Sequence, residues 1–127
     1  MRFYLDSADS VAAIPVELVG MDSRLLIRMA VDTGATLVMI PWKVAEFLGY
    51  DPAISKEKVQ VTTASTVEKI PLITIKDIIV LGKSLRNVKV AVHDLPPESA
   101  VDGLLGLSFL SKFNLKMMFK EGYLELD

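Results

Sequence analysis

Cysteine is absent from the 127 residues, which removes disulfides and thiolate metal sites from consideration. A single histidine, His93, rules out a His-rich zinc site and the HExxH pattern, and leaves a Ser-His-Asp triad one possible base. No segment reaches the roughly 18 to 20 consecutive apolar residues of a membrane-spanning helix. The polar, acidic start MRFYLDSADS has no signal-peptide apolar region. Charge of one sign is also lacking: 14 basic against 16 acidic residues leave a net −2, so no basic field exists to attract nucleic acid or an anionic membrane. The expectation is a cytoplasmic protein, or a domain of a longer chain, with neither nucleic acid nor membrane as partner. Nothing in the composition asks for a metal or other cofactor.

Apolar side chains are plentiful. Hydrophobic residues make up 51% and charged residues 24% of the chain, on the apolar side of globular composition. With no long apolar run, that excess suggests surface that a partner covers. The length suits a single domain over 1–127 with one core. No repeat, low-complexity segment or linker is visible; Pro96-Pro97-Glu98-Ser99 is the most loop-like stretch.

Most apolar runs are short, β-branched and bounded by turn signals, which predicts a mostly β chain. AIPVELV (13–19), RLLIRMAV (24–31) and TLVMI (36–40) read as strands. PWKVAEFLGY then switches period, and Val44, Phe47 and Leu48 fall on one helical face. Pro41 suits the helix start and Gly49 its C-terminal stop, predicting a helix over 42–48. VQVTTA and EKIPLITI (59–64 and 68–75) read as two arms of a hairpin around Ser65 to Val67. DIIVLG and VKVAVHDL follow, with GKSLRN as their turn. LLGLSFLSKF (104–113) starts as a buried strand and passes into a short helix with Ser108 as N-cap. LKMMFKEGYLELD closes as a hairpin around Glu121-Gly122. Two short helices in a β-rich chain of this size suggest a small closed or folded β-barrel.

One acid stands out. Asp32 follows Ile27, Met29, Ala30 and Val31 and precedes Leu37 to Ile40, in MAVDTGATLVMIP. Asp-Thr-Gly often makes a surface turn, but a surface turn should have polar flanks. Burying a carboxylate costs several kcal/mol, on the order of the penalties in, unless it is paired or hydrogen-bonded. A carboxylate at the end of a buried strand can be held by backbone N–H groups around Gly34 and Ala35. Gly34 lets the backbone approach the oxygens, and Thr33 adds a hydroxyl that can stiffen the loop.

Splitting an amide with water needs a base for the water and an acid for the carbonyl oxygen. Two adjacent carboxylates supply both, because like charges a few ångström apart share a proton, a general property of paired carboxylic acids. The only second acid to consider within the chain is Asp102 in VDGLLG, and Asp-Gly there reads more simply as a turn. The remaining solution is a homodimer that sets two Asp32 residues across a twofold axis.

At this point the sequence resembles the retropepsin-like aspartic proteases, in the form carried by cellular bacterial and archaeal members. VDTGAT matches the family's catalytic loop, and GLLGLSFL (103–110) its second signature. TTAST (62–66) stands at the place of the flap hairpin, and PWKVAEFLGY at that of the helix after the catalytic loop. The ordered set covers roughly residues 13 to 127. The resemblance implies a retropepsin-like β-barrel with two short helices, and a homodimeric aspartic endopeptidase acting on extended peptide or protein. Asp32 would be the catalytic acid, one per subunit. Thr33 would bond across the axis, and Gly34 would sit beside the substrate backbone. Ala35 and Thr36 would line the substrate, and Thr63, Ala64, Ser65, Thr66 and Val67 would form the closing flap. Leu104, Leu105 and Gly106 would support the catalytic loop. Thr66 stands where the flap carries glycine, which predicts a different turn or a less mobile tip. The terminal strands that build the family's dimer sheet are less clear: GYLELD can serve, and MRFYLDSADS is only a strand start. The competing reading is a dimeric peptide-binding or assembly module on the same fold; a plain β domain with an Asp turn would instead be monomeric.

Other residues carry plainer expectations. His93 is exposed or satisfied, and Trp42 is core or interface. Asp6 and Asp9 are solvated, and the methionines fill core. Ser108 and Ser111 cap helices or lie at the surface, and Lys83 to Lys89 form a solvated strand face.

Overall fold

The alternation in 13–19 and 24–31 becomes an antiparallel pair, β2 (Ala13–Val19) and β3 (Arg24–Val31). The chain reverses between them where the Gly20 N–H donates to the Ser23 carbonyl at 2.8 Å. The structure, a computed structural model, describes residues 1–62 and 65–127. The remaining elements are β1 (Arg2–Tyr4), β4 (Val38–Ile40), α1 (Trp42–Phe47), a 3-10 turn (Pro52–Ile54), β5 (Lys58–Thr62), β6 (Val67–Val80), β7 (Lys83–Val92), β8 (Gly103–Leu105), α2 (Leu107–Leu110), β9 (Leu115–Met118) and β10 (Tyr123–Leu126).

Six strands close on themselves in the order β2-β3-β8-β4-β7-β6, and β6 returns to β2. This is the closed barrel with two short helices that the sequence predicts. Two of its contacts, β3–β8 and β4–β7, are parallel. β8 is thereby wedged between β3 and β4, the two strands that flank the Asp32 loop. Ile14, Val16, Leu18, Met29, Ile40, Ile75 and Phe109 fill the interior. β5 lies on the far side of β6 as one arm of a hairpin, from Lys58↔Pro71 to Thr62↔Val67. β1, β10 and β9 form a separate three-stranded sheet within one chain, so the first residues do make a strand. The Arg2 guanidinium beside it holds the Glu125 carboxyl below its usual range, and the two pair at 2.7 Å. Among the described residues no helix is long and apolar enough to cross a membrane.

α1 matches its predicted place, with Val44 and Leu48 buried and Gly49 following at φ +94°, but Phe47, expected on the same face, is exposed and Ala45 is buried instead. Its first N–H is capped from elsewhere, by the Asp94 carboxylate, which accepts from the Trp42 N–H at 2.9 Å. Trp42 itself is half-buried.

Three expectations need correction. The strand expected over 36–40 is paired only over Val38–Ile40, because Thr36 and Leu37 belong to the loop leaving Asp32. GKSLRN is not the turn between β6 and β7: Leu81 and Gly82 alone reverse the chain, both at positive φ, and Lys83 to Asn87 lie in β7. Ser108 is not a helix cap, since Gly106 holds the N-cap position of α2. The Ser108 hydroxyl instead accepts from the Val38 N–H at 2.9 Å and donates to the Lys89 carbonyl at 3.0 Å, fastening α2 to β4 and β7.

Candidate active site

Asp32 is the first residue beyond β3, and its position is fixed by main-chain bonds. Its N–H donates to the Leu105 carbonyl at 3.0 Å, which continues the β3–β8 pairing by one residue. Its carbonyl accepts from the Ala35 N–H at 3.2 Å, closing a tight loop. The Ala35 carbonyl in turn accepts from the Leu107 N–H at 2.8 Å. The loop thus rests on β8 and on the start of α2. Gly106 sits under it so closely that a Cβ there would meet the Ala35 carbonyl at 2.7 Å and the Leu37 carbonyl closer still. Only a residue without a side chain fits.

The side chain of Asp32 is half-buried. Its Oδ1 accepts from the Gly34 N–H at 3.0 Å. Gly34 achieves this without a positive φ; a Cβ there would stand 3.3 Å from Oδ1, so the glycine serves close approach. Among the described residues no other group bonds the carboxylate, and Oδ2 is left open. Thr33 is exposed, and its hydroxyl bonds nothing among the described residues.

Asp32 and Thr33 lie on the floor of a groove of about 600 Å³. Ser10, Val11 and Ala12 line it from one loop, and Glu98 to Val101 from another. Leu104 and Val31 line the floor, with Met117 and Phe119 at one end. On the other side of the loop a smaller cavity of about 370 Å³ lies between Ala35, Thr36 and Leu37 and the hairpin residues Val59, Gln60 and Val61.

The structure therefore brings together Asp32, Thr33, Gly34, Ala35 and Thr36 with Leu104, Leu105 and Gly106 beneath them. It places the hairpin shaft, rather than Ser65, Thr66 or Val67, beside the loop; those three are exposed and line neither cavity. Thr66 is not among the residues with positive φ. Thr63 and Ala64 lie outside the described residues. Asp102 does not face Asp32: its Oδ2 accepts from the Arg28 N–H at 3.1 Å. Glu98, which lines the groove, is an acid that sequence reasoning passed over. Arg28 was passed over too. Asp9 is not simply solvated, because it pairs with the Arg28 guanidinium. His93 is satisfied away from the groove, with Nε2 3.2 Å from Glu68 and Nδ1 2.8 Å from the Asp94 carbonyl. Among the described residues no three His, Asp or Glu side chains converge as metal ligands would.

The family model described as "gag-polyprotein putative aspartyl protease" matches residues 5–112, a span that includes the loop, the barrel and α2. The chain belongs to the retropepsin-like aspartic proteases. The fold of this retropepsin-like chain is also that of a crystal structure of a retropepsin-like aspartic protease from Rickettsia conorii. The two are 24% identical and superpose with a TM-score of 0.76 over 99% of this chain and 88% of that one. No curated protein matches the sequence.

Proposed function

We propose that this retropepsin-like chain is a homodimeric endopeptidase in which two Asp32 carboxylates, one from each subunit, activate a water molecule against the peptide bond of an extended substrate. The observation that carries the reading is the Asp32 carboxylate itself. One oxygen is pinned by the Gly34 N–H, and the residue lines an open groove, on a loop anchored to two barrel strands. A group so placed is preorganised for proton transfer.

The second carboxylate comes from a second copy. Val11 and Phe119 are exposed apolar side chains lining the same groove, and the Thr33 hydroxyl bonds nothing among the described residues. A second copy on a twofold axis covers the former and bonds the latter. Like charges at that distance share one proton. The ionised Asp32 takes a proton from water as the water oxygen bonds to the substrate carbonyl carbon. The protonated Asp32 gives its proton to the carbonyl oxygen. The resulting diol collapses: the C–N bond breaks with its electron pair going to nitrogen, nitrogen takes the proton held by the carboxylate pair, and one diol hydroxyl returns its proton to the pair as the C=O bond forms. The β5–β6 hairpin acts as the flap, and the cavity it shares with Ala35, Thr36 and Leu37 takes an apolar substrate side chain.

Asp32→Asn tests this reading. It keeps the Oδ1 acceptor for Gly34 and removes the proton exchange, so folding and dimerisation persist while peptide cleavage is lost. Cleavage at the wild-type rate by Asp32→Asn rejects the proposal, as does a protein that is monomeric at working concentration. The non-hydrolytic alternative, a dimeric peptide-binding module, draws on Thr66 at the hairpin tip. It predicts a peptide complex that survives uncleaved from acid to neutral pH.

A further inference from the structure

Arg28 raises the same question as Asp32: a charge in an apolar strand. It lies in β3, four residues before Asp32. Its main chain is bound on one side by a single residue: the Arg28 N–H donates to Asp102 Oδ2 at 3.1 Å, and the Asp102 N–H donates to the Arg28 carbonyl at 2.7 Å. The guanidinium reaches two different loops. Nη1 donates to the Ala100 carbonyl at 2.6 Å, and Nη2 donates to the Asp9 carboxylate.

Both loops line the Asp32 groove. Asp9 immediately precedes Ser10, Val11 and Ala12; Ala100 stands between Ser99 and Val101. One side chain therefore ties both loops to the strand that carries Asp32. A guanidinium suits this work because its planar fork presents donors in two fixed directions, whereas an ammonium is a single point of attachment. The Arg28 and Asp9 side chains remain 38% and 28% exposed, so solvent weakens the pair as a source of stability. What it retains is geometry.

We propose that Arg28 sets the width of the groove that holds the substrate side chain next to the scissile bond, and so acts as a positioning residue for peptide binding. The inference rests on the endopeptidase reading for its kinetic arm, and on peptide binding alone for its second arm.

The test compares Arg28→Gln, Arg28→Lys and Asp9→Asn with the wild type. KM and kcat are measured on peptides with a large or a small apolar residue before the scissile bond. The Kd of a peptide carrying a statine hydroxyl in place of the scissile amide is measured by calorimetry. The expected result for Arg28→Gln is a rise in KM and Kd of about tenfold, the size of one charge-assisted hydrogen bond. Its kcat stays within about twofold, and the large-residue peptide suffers more than the small. Arg28→Lys recovers part of the loss, and adding Asp9→Asn to Arg28→Gln costs nothing further. Unchanged KM and Kd overturn the proposal, as do a fall in kcat alone, additive losses in the double variant, or failure of the wild type to bind the statine peptide. Should Arg28→Gln fail to fold, Asp9→Asn alone decides by the same criteria. Cleavage that survives Asp32→Asn would instead sink the endopeptidase reading and leave the Kd arm to judge Arg28.

Discussion

Gly106→Ala is the substitution that most directly challenges the support of the Asp32 loop. The backbone at Gly106 has φ −99° and ψ −170°, a region that alanine adopts freely, so the cost is purely steric. The added Cβ would stand 2.7 Å from the Ala35 carbonyl and nearer to that of Leu37, where real Cβ contacts keep about 3.0 Å or more. Both obstacles are main chain. They cannot rotate aside as the end of a flexible side chain can. Nor can Gly106 retreat, since its carbonyl accepts from the Phe109 and Leu110 N–H groups at 3.2 and 3.0 Å. The loop from Ala35 to Leu37 must lift, straining the 2.8 Å bond from the Leu107 N–H to the Ala35 carbonyl. Overpacking of this kind costs about 3 kcal/mol at its upper range. The lower entropy of the unfolded alanine chain offsets roughly 0.5 to 1 kcal/mol of that. A net loss of about 2 kcal/mol lowers Tm by about 8 °C for a chain of this length. Misplacing a reacting group by even 1 Å costs about a hundredfold in rate, so kcat/KM should fall further than stability alone explains. Gly122→Ala is the control: its φ is +82° but nothing lies within 4 Å of the new Cβ, leaving only backbone strain of about 1 kcal/mol. Melting and peptide cleavage are read for both. A Gly106→Ala protein that melts no lower than Gly122→Ala and cleaves like the wild type refutes the argument.

Ser108→Ala should strip the buried Val38 N–H of its acceptor and lower stability by about 2 kcal/mol. The urea midpoint should fall with an unchanged m-value, and an unshifted midpoint would show that the cross-link carries no weight. Tyr50 answers a gap in the β6–β7 ladder: Asn87 at φ 54° leaves Lys76 without a strand partner, and the Lys76 N–H donates to the Tyr50 hydroxyl at 3.1 Å. Burial pushes the Tyr50 phenol above its ordinary value, against the opposing effect of the Lys76 bond. A folded-state pKa raised above the unfolded one gives a contribution fully present below about pH 10 and lost as pH rises through the folded value. Urea unfolding should therefore weaken in that alkaline range for the wild type. Tyr50→Phe should lose about 1 kcal/mol at neutral pH and show less of the alkaline decline; an identical alkaline slope in both proteins contradicts the assignment.

The local elements were legible wherever a periodic face and a stop signal coincided. AIPVELV and RLLIRMAV alternate and are bounded by GMDS, so β2 and β3 were readable to the residue. In α1, Val44 and Leu48 share a face and Gly49 ends it. Reading failed where a long-range partner replaced a local signal. Ser108 looks like an N-cap because serine in front of an apolar turn usually is one; only the arrival of β4 and β7 gives its hydroxyl other partners. GKSLRN is rich in turn formers, yet Leu81 and Gly82 turn the chain, and pairing with β6 holds Lys83 to Arg86 extended. The cap on α1 comes from Asp94, 52 residues away, which no local pattern could announce. Arg28 did carry a signal, a cation among apolar strand residues, but its partners Asp9 and Ala100 become neighbours only through the fold.

For the candidate site the division is similar. The sequence by itself determined that an acid ends an apolar strand, that small residues follow it, and that a second apolar-Gly segment accompanies it. These are short-range facts of residue type and order. Tertiary structure alone decided that β8 enters between β3 and β4, because parallel pairing of distant segments is settled by closure of the barrel and not by the neighbours of each residue. That wedge sets the Leu105 carbonyl under the Asp32 N–H and Gly106 under the loop, and it leaves Asp32 lining an open groove.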